Sequence, residues 1–516
     1  MKAADYPKIA RFATPGALRE YLKQENIVIG LTDTVPAGSA SALARKAECC
    51  GRTIGNRWSI LPMEGWDCEA DGNPSELTCR RWLRFAQSGA KLIYGTEAAA
   101  VMHSGRSNPR QLMIADHTAD ALKKILGEMR AIHKARFGTT DDLMIGLQLT
   151  HSGRFAHPNR PEQLEARTAW AHPLLDRKFH CGPENVVSDA EVEEIVRHFV
   201  HAAEIAYNAG FDFVDIKHAH GYLGHEFLTA YERKGKYGGS FENRTRFFRE
   251  IAEGIKEKVP DLILSSRVSL FDIFPFVKGD DGIGRPMEWE GPYPYAFGGD
   301  GDGMNMDPDL KETTQLVKLM QSYGVELICA TIGSPYYNVH MQRPAWYPVC
   351  DGYLPPENPL YNVSRHLKAV KRIRELCPGI RVVGSGYTAL QEYLPNAAEY
   401  VLSHDETDFV GIGRMVLSYP EICADVLAGR PLDRRRICRT IGDCTNAPRN
   451  GMVSGCDPLD EFYRSREECP KLRALQRRGT FSSLRRPLRQ SCWCQSYRRS
   501  GWRKSSFHNA PSILRH

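Results

Sequence analysis

The chain has 516 residues, of which 42% are hydrophobic and 25% charged, as is typical of a globular protein of enzyme size. It contains no apolar run long enough to span a bilayer, and its N-terminus lacks the apolar core of a secretory signal, so neither an anchor nor export is expected. The 15 cysteines are therefore interpreted as mainly reduced thiols of a cytoplasmic protein.

Positive charge is concentrated at the C-terminal end. The formal net charge is +6, but residues 471–516 contain 12 Lys and Arg and no Asp or Glu, so residues 1–470 carry 56 basic and 62 acidic side chains. A basic segment of this kind is compatible with binding to nucleic acid or to an anionic membrane. Its apolar residues follow no helical or strand period, however, which favours a disordered tail or an out-of-frame end of the gene.

Eight apolar, strand-like runs alternate with helical stretches along the chain. They cover residues 57–63, 90–96, 143–149, 211–216, 262–268, 325–331, 380–384 and 409–413. Strands that alternate with helices imply parallel pairing and right-handed crossovers. The predicted fold class is therefore α/β, a (β/α)8 TIM barrel. A doubly wound sheet is the alternative, but the turn after the first run lacks the glycines typical of that fold.

The clearest helix is predicted between the third and fourth strands. Ser188 can cap its first turn, with Glu191 three residues later as the second half of a capping box, and Gly210 ends it. Apolar residues recur at helical spacing between these two ends.

Four segments are expected, with the barrel as the largest. They are an N-terminal extension (1–50), the barrel (51–435), a closing segment with cysteines (436–470) and the basic tail (471–516). Within the barrel, residues 271–308 follow the fifth strand and are rich in Gly, Asp and aromatic residues. Their length predicts a lid over the mouth of the active site.

Proton-transfer groups cluster at the end of the fourth strand. The apolar run there is followed by Lys217, His218, His220 and Tyr222. Barrels build their active sites at the carboxyl ends of strands, so this cluster is the predicted centre of the chemistry.

Glycines follow the last two strands, at the positions where barrels commonly bind a phosphate. Gly384 and Gly386 come after the seventh strand, and Gly413 and Arg414 after the eighth. Exposed backbone N–H groups and an Arg side chain would together cradle the anion.

Further motifs are Asn56-Arg57 followed by Pro62-Met63, Glu97-Ala98, Gly105-Arg106, Gln148 in LQLTHSGRF and Arg267 in SSRVS. In these motifs, from about Gly55 to Tyr463, the sequence resembles the Old Yellow Enzyme family of flavoproteins, also called NADH:flavin oxidoreductases. The resemblance implies a non-covalently bound FMN that is reduced by NAD(P)H. It implies that Gln148 binds the pyrimidine edge of the ring and that Arg267 faces N1 and O2, where its charge stabilises the anionic reduced flavin. The expected cofactor-binding residues are Pro62, Met63, Ala98, Gln148, Arg267, Gly384, Gly386, Gly413 and Arg414.

The catalytic residues depart from the family pattern at one position. Relatives carry His, two residues, His or Asn, one residue, and Tyr, whereas the same spacing here gives Lys217, His220 and Tyr222. By resemblance, the first two hold a carbonyl or nitro oxygen while hydride reaches the β-carbon, and Tyr222 protonates the α-carbon. A protonated Lys217 would favour an enolate or a carboxylate. His218 is expected to face the other way, because successive strand residues point to opposite sides.

A second departure is Glu64, where relatives place Thr or Cys. If its side chain points inward and is ionised, it should disfavour the anionic reduced flavin. The direction of the side chain is left open by the sequence.

The sequence therefore predicts an oxidoreductase in which NAD(P)H reduces FMN and the flavin passes hydride to an activated C=C bond of a small molecule. The alternative is oxidative demethylation or dehydrogenation of an amine or betaine, whose carboxylate Lys217 would hold. Some larger relatives bind an iron–sulfur cluster after the barrel, and Cys438, Cys444 and Cys456 stand in the corresponding region. No Cys lies in the gap between the first two, however, and four thiolates are normally needed, so neither an iron–sulfur cluster nor another metal is expected. Nucleic acid and membranes are not expected as partners, and a homo-oligomer is compatible with the sequence.

Overall fold

A closed barrel of eight parallel strands forms the centre of the computed structural model, which describes residues 6–482. The second strand is broken into two parts, and its first part pairs with both the first and the third strand. The eighth strand pairs with the first, which closes the sheet. The strands are β1 (Trp58–Ile60), β2 (Leu92–Ile93 and Ala98–Ala100), β3 (Met144–Thr150), β4 (Phe213–Ile216), β5 (Ile263–Ser269), β6 (Leu327–Thr331), β7 (Arg381–Gly384) and β8 (Phe409–Ile412). The predicted TIM barrel is confirmed, and each of the eight predicted runs overlaps a strand.

The crossover helices lie between consecutive strands. They are α1 (Glu76–Ala86), α2 (Ala119–Phe137), α3 (Asp189–Ala209), α4 (Arg246–Lys258), α5 (Lys311–Ser322), α6 (Pro359–Leu376), α7 (Leu394–Ser403) and, after the last strand, α8 (Ile422–Leu427). Shorter or peripheral helices cover Pro15–Gln24, Pro173–Phe179, Leu223–Leu228, Phe241–Arg244, Val339–Gln342, Arg414–Ser418, Asp443–Arg449, Glu461–Arg464 and Glu468–Ser482.

The first turn of α3 has the predicted capping box. The Ser188 hydroxyl accepts a hydrogen bond from the Glu191 N–H at 3.3 Å, and the Glu191 carboxylate accepts one from the Ser188 N–H at 2.8 Å. The helix ends at Gly210, whose φ of 97° is readily adopted only by glycine.

A β-hairpin packs against the amino-terminal ends of the barrel strands. Its strands Ala47–Cys49 and Arg52–Ile54 are antiparallel, and its buried side chains join the cluster inside the barrel that includes Tyr94, Phe213 and Phe409. The predicted boundary after residue 50 therefore falls inside this hairpin, so the N-terminal extension and the barrel share one core.

The excursion after β5 is present, but it does not cover the cavity described below. It contains a hairpin (Phe276–Lys278 with Gly284–Pro286), and no residue of 271–308 lines the cavity. Its aromatic residues instead pack against the loop after β3, where Tyr295 lies 5.0 Å from the Trp170 ring centroid. The predicted lid is wrong for this arrangement, because these side chains bury themselves against neighbouring loops.

The C-terminal part continues as helix beyond the predicted closing segment. Glu468–Ser482 is helical and Leu472 within it is buried, so the predicted boundary at residue 471 lies inside a helix. The rest of the predicted tail, residues 483–516, lies outside the described residues. Among residues 6–482, no helix is long and apolar enough to cross a membrane, and no group of three His, Cys, Asp or Glu is placed to hold a metal ion.

Candidate active site

A cavity of about 270 Å³ opens at the carboxyl ends of the barrel strands. It brings together almost all of the predicted site residues, although they come from seven of the eight strand ends. Those that line it are Pro62, Met63, Ala98, Gln148, Lys217, His220, Tyr222, Arg267, Gly386, Gly413 and Arg414. Gly384 does not line it. A Cβ there would lie 2.8 Å from the Tyr387 hydroxyl, so close packing behind the cavity requires this glycine.

Gln148 and Arg267 are held by one buried carboxylate that the sequence analysis missed. Asp215 on β4 lies between β3 and β5, where it accepts hydrogen bonds from the Gln148 side-chain amide and from the backbone N–H of Arg267. Burial raises the pKa of Asp215 to about 6. The Arg267 guanidinium also donates to the carbonyl oxygen of Pro62 at 3.3 Å. The side chains of three strand ends are thereby fixed relative to each other.

Glu64 points into the cavity and joins the predicted catalytic residues. Its carboxylate lies 3.2 Å from the Lys217 ammonium, and it accepts a hydrogen bond from the Tyr222 hydroxyl at 2.8 Å. The Lys217 ammonium lies 3.6 Å from the centroid of the Tyr222 ring. The Tyr336 hydroxyl lies 2.9 Å from that of Tyr222. Because Tyr222 donates to Glu64, Tyr336 is the donor in this second contact.

Two further side chains donate to the Glu64 carboxylate. The Trp66 indole N–H lies at 3.1 Å and the Ser107 hydroxyl at 2.7 Å. Burial lowers the pKa of Lys217, and Glu64 opposes this effect. Burial raises the pKa of Tyr222 well above its usual value, and Glu64 acts in the same direction. Glu64 therefore stabilises the protonated form of both neighbours.

His220 is held in an unusual backbone conformation. Its φ is 70°, in the left-handed region. Hydrogen bonds of its backbone N–H and its carbonyl oxygen hold this conformation. The N–H of His220 donates to Ser269 and its carbonyl oxygen accepts from Ser334. Burial lowers the pKa of His220 well below its usual value, so the ring is neutral at pH 7. The Gln342 amide nitrogen lies 3.1 Å from Nε2, which places the ring proton on Nδ1.

His218 faces away from the cavity, as expected from strand alternation. Its Nδ1 lies 3.0 Å from the carbonyl oxygen of Ile216, and its ring packs edge-on against Phe247 and Phe248 of α4. It is a buried packing residue between strand and helix.

A buried cluster of charges supports the loop that carries Glu64. Arg81 on α1 lies 2.9 Å from Asp67 and 2.8 Å from Glu97, and Glu97 also accepts from the Gly65 N–H at 2.7 Å. The side chains of all three charged residues are at most 7% exposed. The break in β2 contains Glu97, so the irregular strand places a carboxylate directly beneath this loop.

The opposite end of the cavity offers an anion cradle. A Cβ added to Gly413 would meet only the Met63 sulfur within 4 Å, so the backbone there borders open space. Arg414 donates to the Pro344 carbonyl oxygen at 3.2 Å through one nitrogen, while its buried Nη1 has no hydrogen-bond partner among the described residues. An unpaired buried guanidinium nitrogen is costly, which indicates that a ligand completes this site.

The comparisons with known proteins agree with this geometry. Residues 50–282 match the NADH:flavin oxidoreductase / NADH oxidase family. Over these residues the chain is similar to that family. It is 32% identical over 235 residues to an NADPH dehydrogenase of Geobacillus sp., covering 44% of this chain and 62% of that protein. The chain therefore spans less than two thirds of the length of that relative.

Two solved structures share the fold. Histamine dehydrogenase from Rhizobium sp. 4-9 matches with a TM-score of 0.56 and 21% identity, over 81% of this chain and 52% of that one. Morphinone reductase in complex with tetrahydroNAD matches with a TM-score of 0.51 and 18% identity, over 77% of this chain and 92% of that one. At this identity the likeness shows the barrel fold alone.

NADH:flavin oxidoreductases use FMN with NAD(P)H as the electron donor, and the residues present here fit that cofactor. The unpartnered nitrogen of Arg414 and the open space at Gly413 suit a phosphate. Gln148 and Arg267, held by Asp215, supply amide and guanidinium groups for the polar edge of a flavin. The Arg267 Nε is itself buried without a partner among the described residues, as expected for a group that a ligand satisfies.

Proposed function

We propose that the protein is an FMN-dependent oxidoreductase that takes hydride from NAD(P)H and passes it to an activated C=C bond of a small molecule. The observation that carries the proposal is the shared cavity. Lys217, His220 and Tyr222 line the same space as Gln148 and Arg267, so the groups proposed to bind the substrate share one cavity with those proposed to bind the flavin. When bound, FMN supplies the hydride transfer.

The residues of the chain bind the substrate and supply the proton that its α-carbon receives. Neutral His220 can donate from a ring nitrogen to a carbonyl oxygen, because its other nitrogen is occupied by Gln342. Tyr222 carries the proton for the α-carbon, and Tyr336, 2.9 Å away, can return a proton to it. The pocket is also lined by the loop after β6, which contributes Tyr336 and Gln342, and by the segment after α8.

The first test is the identity of the cofactor. The purified chain should be yellow and release about one FMN on heating, since both ends of a flavin site are present. It should oxidise NAD(P)H in the presence of cyclohex-2-enone. The variant Arg267→Gln should shift the flavin midpoint potential, because it removes the charge that the resemblance places beside N1. Released FAD, or no flavin after reconstitution, would contradict the proposal.

A second candidate is oxidative demethylation or dehydrogenation of an amine or betaine. It is favoured by the carboxylate of Glu64, which lines the cavity and could act as the base that accepts a proton from a substrate ammonium group. Dye reduction that depends on an added amine, without NAD(P)H, would support it. NAD(P)H turnover that depends on an enone would support the first candidate instead. A cytoplasmic location and a homo-oligomeric state remain predictions.

A further inference from the structure

We infer that Glu64 sets the charge selectivity of the substrate site. By holding Lys217 in an internal ion pair, it compensates the ammonium charge, so that uncharged carbonyl compounds bind beside Lys217 and carboxylates are excluded from that position. This inference rests on the proposed function only in taking the cavity as the substrate site.

The contacts of Glu64 show that its charge is used within the protein. One carboxylate oxygen faces the Lys217 ammonium, and the other accepts from Tyr222, Trp66 and Ser107. The side chains of Lys217 and Glu64 are only 4% and 12% exposed. Solvent therefore screens this pair weakly, and each charge depends on the other for its stabilisation.

An anionic ligand would have to compete with Glu64 for the ammonium. Besides Glu64, the charged groups that act on Lys217 are Arg267 and Asp215, and Asp215 is already bonded to Gln148 and to the Arg267 backbone. A ligand carboxylate next to Lys217 would place a second negative charge close to Glu64 in a poorly solvated cavity. Like charges brought together at such a site oppose binding strongly.

A neutral carbonyl compound meets no such obstacle. Its oxygen can accept from His220 without separating Lys217 from Glu64. The structure thus predicts an order among ligands of the same shape that differ only in charge.

Benzoate, benzamide and benzamidine provide such a series, being anionic, neutral and cationic at pH 7. Their binding to the flavin-loaded full chain is measured by isothermal titration calorimetry without NAD(P)H. The wild-type protein should bind benzamide at least about tenfold more tightly than either ion. The Glu64→Gln variant should prefer benzoate, and Lys217→Met should prefer benzamidine. The double variant should prefer neither ion.

Proton uptake on ligand binding distinguishes a charge-compensating role of Glu64 from a purely structural one. In Glu64→Gln, the pKa of Lys217 loses the opposing effect of Glu64, so benzoate binding should be accompanied by proton uptake. Repeating the titration in buffers of different ionisation enthalpy measures that uptake. As a matched control, Glu357→Gln removes a carboxylate from an ion pair with Arg365 outside the cavity and should leave the order unchanged.

The inference is overturned if wild-type protein prefers benzoate or benzamidine, or if neither single variant changes the order. The two single variants have opposite expected preferences, so one of them suffices if the other does not fold. Since no turnover is involved, the two proposals fail separately. Enone reduction with an unchanged ligand order would remove the inference alone, and the predicted order without enone reduction would remove the proposed function alone.

Discussion

Arg81 offers the sharpest test of how the loop with Glu64 is supported. The variant Arg81→Met keeps much of the side-chain volume but leaves Asp67 and Glu97 buried without their cation. Removing one partner from a buried ion pair typically costs about 3–5 kcal/mol, because the remaining charge is uncompensated. The loss of Arg81 should also weaken the support of the loop that carries Glu64, since Glu97 accepts a hydrogen bond from the Gly65 N–H in that loop.

The loss of folding stability in Arg81→Met should depend on pH in a defined direction. Burial raises the pKa of Glu97 and Arg81 opposes the rise, so the variant should raise that pKa further. A carboxyl group whose pKa is higher in the folded than in the unfolded state, where it is about 4.3, stabilises the fold at low pH and loses this effect as pH rises. Because the pKa of Glu97 is about 8 in the wild-type protein, the variant should be closest to wild type near about pH 6 and furthest from it near about pH 9.5.

Urea unfolding followed by circular dichroism at these two pH values measures the deficit. The control is Arg372→Met, which removes an exposed arginine 3.8 Å from Glu375 on the surface of α6. Exposed pairs of this kind contribute about 0–1 kcal/mol, so the control should change stability little at either pH. An Arg81→Met deficit no larger than that of the control, or equal at both pH values, would refute the reasoning.

Three further outcomes are expected. Tyr222→Phe should slow flavin reoxidation by enones by about 10²- to 10⁴-fold and leave reduction by NAD(P)H nearly intact in stopped-flow measurements; an unchanged oxidative half-reaction would exclude it as proton donor. Arg414→Gln should weaken FMN retention, measured by ultrafiltration of the released flavin, and equal retention would argue against the anion cradle. A chain that ends at Pro470 should be less stable in urea than one that ends at Ser482, by about 1.5–3 kcal/mol, because it lacks buried Leu472. Equal stability of the two chains would contradict that expectation.

Local patterns predicted the barrel well. Each strand is a buried apolar run between helical stretches, and α3 has the capping box expected from Ser188 and Glu191. The site residues were predicted because they follow strands, and parallel strands in a barrel bring their carboxyl ends together. Only Gly384 among them proved to lie behind the cavity.

The missed residues have no local signal. Asp215 stands inside an apolar strand, where one polar residue is equally compatible with an ordinary satisfied core position. Tyr336 and Gln342 are 114 and 122 positions from Tyr222 and His220, and only the closed barrel brings them together. The lid was wrong for a related reason, because the length and composition of a loop do not reveal which neighbour its aromatic residues pack against.

Lys217 and Glu64, the two residues that the resemblance marks as departures, contact each other in the structure. Sequence reasoning treated Lys217 as an added positive charge and Glu64 as a separate negative charge near the flavin. In the structure they form an ion pair at 3.2 Å, so the site carries no net charge from the two positions. Burial alone lowers the pKa of Lys217 and so favours its neutral amine, and the Glu64 carboxylate opposes that effect. The ion pair therefore stabilises the charged form of Lys217. The expectation that Lys217 would attract a substrate carboxylate is replaced by one in which Glu64 already compensates its charge.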